Sequence, residues 1–196
     1  MDILTLHQDD LSLPALYPRL LGPAWDTLAE VVRRHHLEGS ILQAAGSFRI
    51  RHGAGRGARL LAWLLRLPPE AQAAKTRLVI RAQGDGEQWR RTFADRLLVT
   101  RQNSAGAQLA EHFRGLEIRF RLAVVDGAMH YYQTRAALTF GPLRIPLPSW
   151  LAPRIAAWER PADLPDRVHV TVEVGLPMLG RLIAYDGTIA REEPRP

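Results

Sequence analysis

From Arg77 to the end of the chain, apolar side chains recur at every second residue. Leu78, Ile80 and Ala82 interleave with Arg77, Arg81 and Gln83. The run Leu116 to Val124 interleaves with Glu117, Arg119 and Arg121, and Val168 to Val174 with His169, Thr171 and Glu173. A period of two is that of a half-buried strand. Turn signals punctuate the pattern at Gly84-Asp85-Gly86, at Asp126-Gly127 and between Gly175 and Gly180. No helical stretch separates these strands, so the topology is an antiparallel meander. About eight to ten strands sharing one apolar face must curl or close around something. The predicted fold is therefore α+β and mainly antiparallel β: a curved meander sheet, either a half-barrel around a helix or a calycin-like barrel. Both forms enclose a ligand cavity.

The N-terminal third reads differently. Leu20, Leu21, Trp25, Leu28, Val31 and Val32 fall at helical spacing, which predicts a helix from Pro23 to His36, ended by Glu38-Gly39-Ser40. Pro23 suits a first helical turn, where its missing N–H has no partner to lose. Gly46 to Arg51 alternates as a strand, and a glycine-rich turn then leads into a second helix, Ala58 to Leu67, stopped by Pro68-Pro69. Prolines at 146, 148 and 153 cannot serve a central ladder. That segment is expected to cross one end of the barrel, with a helical turn at Trp150, as a lid or a plain connection.

At 196 residues the chain suits one domain. The expected division is an arm at 1–16, the domain at 17–191 and a tail at 192–196. No apolar run reaches the ~20 residues that cross a bilayer, and Met1-Asp2-Ile3-Leu4 opens acidic, unlike a signal peptide. Cysteine is absent, which removes disulfides and thiolate sites and points to the cytoplasm. The histidines show no metal-ligand spacing, so no metal is expected. The net charge of +6 rests almost wholly on arginines scattered through every segment, with Lys75 the single lysine. A nucleic-acid surface concentrates basic residues among stacking aromatics, so no nucleic-acid partner is expected.

Gly53-x-Gly55-x-x-Ala58 fits a dinucleotide fingerprint on paper. The preceding strand alternates Phe48-Arg49-Ile50-Arg51, however, whereas the first strand of a parallel sheet is apolar on both faces. Antiparallel hairpins follow instead of further βα units, so no nucleotide cofactor is expected.

Several stretches in order resemble one family. They are Arg33-Arg34-His35-His36, Gly46 with Gly53, Leu67-Pro68, Trp89-x-Arg91-x-Phe93, and Glu111-x-Phe113-x-Gly115-Leu116. Pro146-Leu147-Pro148-Ser149-Trp150-Leu151-x-Pro153-Arg154 and Pro177-x-Leu179-Gly180 with Tyr185-x-Gly187 complete the set. The chain resembles the DUF4166 family, a bacterial domain of unknown function that also occurs fused to saccharopine-dehydrogenase-like nucleotide-binding domains. The resemblance implies no reaction or cofactor. It does imply an accessory or ligand-binding module, with an oxidoreductase as a partner in trans.

Two charges stand where alternation calls for apolar side chains. Arg91 shares a strand face with Trp89 and Phe93, and Glu111 lies between Leu109 and Phe113. Either that face is exposed, or the two pair inside the sheet, or Arg91 meets a ligand's carboxylate or phosphate. His35 and His36 end the first predicted helix, where the dipole favours a cation. Tyr131, Tyr132, Phe140, Trp150 and Trp158 read as core and rim. The candidate ligand-binding residues are Arg91, Trp89, Phe93, Glu111, His36 and Trp150. The expected function is non-catalytic binding of an apolar or amphipathic small molecule. An acid–base enzyme using His36, Arg91, Glu111 and Glu159, or a docking module, are the alternatives.

Overall fold

Asp126 and Gly127 both adopt positive φ, +50° and +75°, the pair of left-handed residues that a two-residue hairpin turn requires. Turns of this kind join strand after strand in the computed structural model, which describes residues 15–36 and 41–192. Among these, β1 is Ile41–His52, β2 Ala71–Gln83, β3 Gly86–Phe93, β4 Arg96–Ala105, β5 Gln108–Phe113 and β6 Leu116–Val125. They are followed by β7 (Ala128–Phe140), β8 (Leu143–Pro146), β9 (Arg154–Pro161), β10 (Arg167–Leu176) and β11 (Gly180–Arg191). All pairings are antiparallel, and β7 joins both β6 and β9 while β11 returns to β1. The sheet therefore closes, with β8 as a short flap on the edge of β7. Of the two predicted forms, the structure is the closed barrel.

The up-and-down path sorts the connections. One end, the floor, carries the turns at 84–85, 106–107, 126–127 and 162–166. The other end, the mouth, carries those at 94–95, 114–115, 141–142 and 177–179, together with segments 53–70 and 147–153. Outward positions on the wall include Arg77, Arg90, Arg101 and Arg121, all exposed, unlike the apolar band of a lipid-facing barrel. No helix among the described residues is long and apolar enough to cross a membrane.

The single N-terminal helix expected from Pro23 to His36 is not what forms. Instead α1 (Leu16–Leu21), a 3-10 turn (Gly22–Thr27) and α2 (Glu30–Arg33) follow one another around the floor. Gly22 at φ +54° ends α1, and Leu28 is extended, so the apolar positions belong to three short pieces. A straight helix of that length would span about 20 Å and could not follow a circular rim. Docking decides the matter: Ala29 N–H donates to Gly127 O at 3.0 Å, and Arg19 Nη2 to Asp85 O at 2.9 Å. Leu16, Tyr17, Leu28 and Val32 are buried there, each worth about 1.5–3 kcal/mol relative to exposure. Residues 1–14 of the expected arm, 37–40 of the helix stop and 193–196 of the tail lie outside the described residues. Leu16, assigned to the arm, is part of the core.

At the mouth, α3 (Arg56–Leu64) replaces the helix predicted over 58–67. Ala58 and Ala62 seat it against the barrel. The glycine before it has a packing reason: a Cβ on Gly53 would overlap the carbonyl oxygen of Arg181. Because β1 pairs antiparallel with both β2 and β11, the fingerprint glycines follow no parallel strand.

Candidate functional site

Period-two alternation aims Trp89, Arg91 and Phe93 of β3 into the barrel, beside Leu98, Thr100 and Gln102 of β4 and Glu111 and Phe113 of β5. They line a cavity of about 490 Å³. Most of the remaining lining is leucine, isoleucine, valine and phenylalanine from strands around the ring and from α3.

Arg91 is the main charge within this apolar wall. Its Nη1 donates to Thr100 Oγ1 at 2.9 Å and lies 3.5 Å from Glu111 Oε1. The guanidinium also rests 4.6 Å from the centre of the Trp89 ring, a cation–π contact. Burial acts to lower its pKa, but Glu111 and the surrounding tyrosines more than offset this, so Arg91 stays cationic. The side chains of Arg91 and Glu111 remain 15% and 24% exposed, through the cavity. Phe48, Phe93 and Tyr185 pack beside them as an aromatic triangle, with centroids 5.2–5.9 Å apart.

At the floor lies a polar group that alternation could not assemble. His36 Nε2 donates to Glu159 Oε2 at 2.8 Å, and Tyr131 donates to Glu159 Oε1 at 2.9 Å. Tyr17, fully buried, donates to Gln102 Oε1 at 2.7 Å, and its oxygen lies 3.3 Å from that of Tyr131. The rings of Tyr17 and His36 pack at 4.0 Å. Burial pushes the Glu159 carboxyl up, yet His36 and the two hydrogen bonds bring it below the ordinary carboxylate value. Burial first, then the charges of Glu87 and Glu159, raise Tyr17 well above the usual phenol range; burial and Glu159 do the same to Tyr131. Trp89 Nε1 donates to Glu87 at 2.8 Å, and burial raises that carboxyl. His35 Nδ1 donates to Val31 O at 2.9 Å, while burial lowers its pKa and favours the neutral ring. Among the described residues His35 Nε2 and His36 Nδ1 are buried without a partner, and both residues line the cavity.

The structure thus brings five of the six candidates, Arg91, Trp89, Phe93, Glu111 and His36, to one cavity. Trp150 is elsewhere: it is 62% exposed and lies outside the lining, while Leu147 and Pro153 of the same segment line the cavity and the exposed Leu151 borders it. The expected helical turn is present, with Leu151 and Ala152 N–H both donating to Pro148 O. His36 follows α2 as predicted but is held by Glu159, not by a helix dipole. Tyr17, Thr100, Gln102 and Tyr131 are additional polar members. Thr100 and Gln102 share the inward parity of Leu98, the one sequence signal they carried.

The His36–Glu159–Tyr131 group can move protons, and the Arg91–Glu111 pair can hold an anionic or polar head. Among the described residues no cluster of metal-ligating side chains occurs. No curated protein matches the chain. A solved structure from Nostoc punctiforme, described as a protein with unknown function from the DUF3598 family, is similar at 10% identity and a TM-score of 0.41. The likeness covers 78% of this chain and 47% of that one, so this chain spans under half the length of that protein. The family described as domain of unknown function DUF4166 matches residues 28–189, most of the chain. The chain belongs to the DUF4166 family.

Proposed function

We propose that the protein binds, without transforming it, an amphipathic or mainly apolar small molecule inside the barrel, with Arg91 as its polar anchor. The observation that carries this reading is the cavity of about 490 Å³, apolar on nearly every side, into which the Arg91–Glu111 pair projects. Pockets for small ligands typically run about 300–1,000 Å³ and pair apolar walls with a few placed polar groups. Arg91 holds its charge, and among the described residues its hydrogen bond is made through Nη1 to Thr100, which leaves the rest of the guanidinium fork for a carboxylate or phosphate head. An oxidoreductase acting in trans remains the partner that the family's fusions suggest.

Native mass spectrometry of the purified protein, with organic extraction of whatever co-purifies, tests the reading. A fluorescent fatty-acid analogue should bind saturably to wild type and at least about tenfold more weakly to Arg91→Met, a loss of the size expected for one charge-assisted contact. Unchanged affinity in that variant excludes Arg91 as the anchor.

The buried His36–Glu159 contact favours a second reading, an acid–base enzyme working at the cavity floor. That reading requires the bound molecule to be converted. A co-purified ligand recovered unaltered after prolonged incubation with fresh protein speaks against it.

A further inference from the structure

The two ends of the barrel have opposite surface chemistry. Most of the large apolar side chains exposed to solvent lie at or beside the mouth, among them Leu60, Trp63 and Leu64 on α3, Phe140 and Leu143 flanking the 141–142 turn, Trp150 on the 147–153 segment, and Met178 and Leu179 on the 177–179 turn. Trp63 and Met178 are 73% and 80% exposed. Among the described residues, the floor exposes Ile41, Val125 and Leu164, each on a separate element. On α3 the exposed residues are spaced i, i+3, i+4, so the helix presents an apolar stripe outward. Leu61 and Leu65, one step around, line the cavity. Leu179 packs at the start of α3, its side chain against Gly57, which ties the turn and the helix into one rim.

The connections at the two ends differ in charge as well. Arg56, Arg59, Arg66, Arg96, Arg114 and Arg154 stand exposed around the mouth, and none forms an ion pair among the described residues. Only Glu70 and Asp95 are acidic in the mouth connections. The floor turns carry Asp85, Asp126, Asp163 and Asp166 and no arginine; the arginines at that end are Arg19, Arg33 and Arg34 of the N-terminal layer, the last two paired with Glu30, and Arg160, Arg167 and Arg191 at strand ends.

We propose that the mouth docks reversibly on an anionic membrane surface, with Leu60, Trp63, Leu64, Trp150 and Met178 seated at headgroup level and the surrounding arginines on lipid phosphates. Tryptophan and short apolar stripes flanked by arginine are suited to the interface between water and acyl chains. Each arginine near an anionic leaflet adds attraction that falls off within a Debye length. A second copy of the chain is the poorer occupant, because two arginine-ringed rims repel each other. The exposed apolar residues also come from several separate segments around an opening, not from one groove shaped for a peptide. Docked this way, the cavity mouth abuts the bilayer, and an apolar molecule passes between them without crossing water. That consequence rests on the cavity reading; the docking surface does not.

The test is flotation of the full chain with vesicles of phosphatidylcholine alone, or of phosphatidylcholine with phosphatidylglycerol. Binding is expected only to the anionic vesicles, should fall as salt is raised, and should shift tryptophan emission to the blue. Trp63→Ser with Leu64→Ser, and separately Arg59→Glu with Arg66→Glu, should each weaken it by at least about tenfold. Leu164→Ser at the floor should leave it unchanged. All these positions are exposed, and circular dichroism confirms that each variant folds. Absence of anionic-vesicle binding, or binding indifferent to the mouth variants, overturns the proposal. So does a vesicle-free dimer that Trp63→Ser disperses, which would assign the patch to a second copy. The cavity reading fails separately: vesicle binding with no saturable fatty-acid analogue sinks that reading alone, and the reverse pattern sinks docking alone.

Discussion

Arg91 of β3 and Glu111 of β5 reach across the intervening strand β4 to within 3.5 Å of each other inside the barrel. Each occupies a position that alternation reserves for an apolar side chain, and each is tolerable there because the other is present. The contact is looser than a fully desolvated pair. Its spacing is long for a hydrogen bond, and both side chains retain some access through the cavity. Such a pair is held by mutual need and stays available to a third group, which is what a ligand anchor requires.

Removing one partner therefore costs stability, though less than in a dry core. Arg91→Met should destabilise by about 1–3 kcal/mol, below the roughly 3–5 kcal/mol expected on orphaning one ion of a fully buried pair. Glu111→Leu alone should also destabilise, and the double variant should recover part of the sum. Urea denaturation of the four proteins measures the coupling. Strictly additive losses would show that the two side chains do not support each other.

Acid should loosen the floor early. Burial lowers the His35 pKa in the folded protein, below the unfolded value of about 6.5. Between those two values the unfolded chain binds more protons, so stability rises with pH there and the contribution is complete above about 6.5. It is lost as pH falls from about 6.5 through the folded value. Glu159, also lowered on folding, acts in the same direction but further down, below the ordinary carboxylate range. In thermal melts from pH 7 to 5, His35→Leu should lose less melting temperature than wild type. Parallel curves would remove His35 from this role.

The glycines before α3 should respond according to packing. A Cβ on Gly53 meets the Arg181 carbonyl, whereas one on Gly55 has its nearest neighbour, Leu179 O, at 3.9 Å, and Gly55 has φ −67°, open to any residue. Gly53→Ala should destabilise by more than about 2 kcal/mol; Gly55→Ala should be within about 0.5 kcal/mol of wild type. Calorimetric titration with NAD(H) or NADP(H) should give no saturable heat. Micromolar binding abolished by Gly55→Val would restore the dinucleotide reading.

How far the sequence could be read depended on whether a signal was local. Strand parity is local: it puts Trp89, Arg91 and Phe93 on one strand face and Glu111 on the face of Leu109 and Phe113, leaves open whether those faces look inward, and implies a closed or curling sheet. The first helix failed because helical spacing cannot register that the segment must bend around a circular floor, where Gly22 and Leu28 break it. His36 drew notice as a helix end, yet its partner Glu159 is 123 residues away. Glu159 sits on β9, where Ile155-Ala156-Ala157-Trp158 runs without polar alternation between Pro153 and Pro161 and so gives no strand signal. Trp150 is an aromatic in a proline-rich segment, and the helical turn leaves it exposed. Its neighbour Leu151 borders the cavity instead.

Among the described residues the barrel wall has a seam beside β7, and the side chain of Gln133 bridges it. The edge of β7 pairs with β9 over 129–132 and with the flap β8 over 137–140. Between them no strand lies alongside, and segment 147–153 fills the space. There Gln133 Nε2 donates to Pro153 O at 2.6 Å, and Ile155 N–H donates to Gln133 Oε1 at 2.8 Å. Ala136 O accepts from Leu147 N–H at 2.9 Å on the far side of the gap. The glutamine amide thus stands in for a missing strand, supplying one donor and one acceptor where the ladder is interrupted. Gln133→Leu keeps the bulk but removes both bonds, leaving a part-buried N–H and C=O unpaired at a cost of about 1–3 kcal/mol. The loss should fall on the seam rather than on the whole barrel, because β7 stays paired with β6 on either side of the bulge at Thr134. Amide hydrogen exchange at Leu151 and Ile155 should therefore accelerate by at least about tenfold, while Ile118 and Phe120 on β6 stay protected. Since Leu147, Leu151, Pro153 and Ile155 also line the cavity, a bound fatty-acid analogue should exchange faster from the variant. Uniform acceleration across β6 and the seam together would show that Gln133 supports the barrel as a whole and does not latch one side of it.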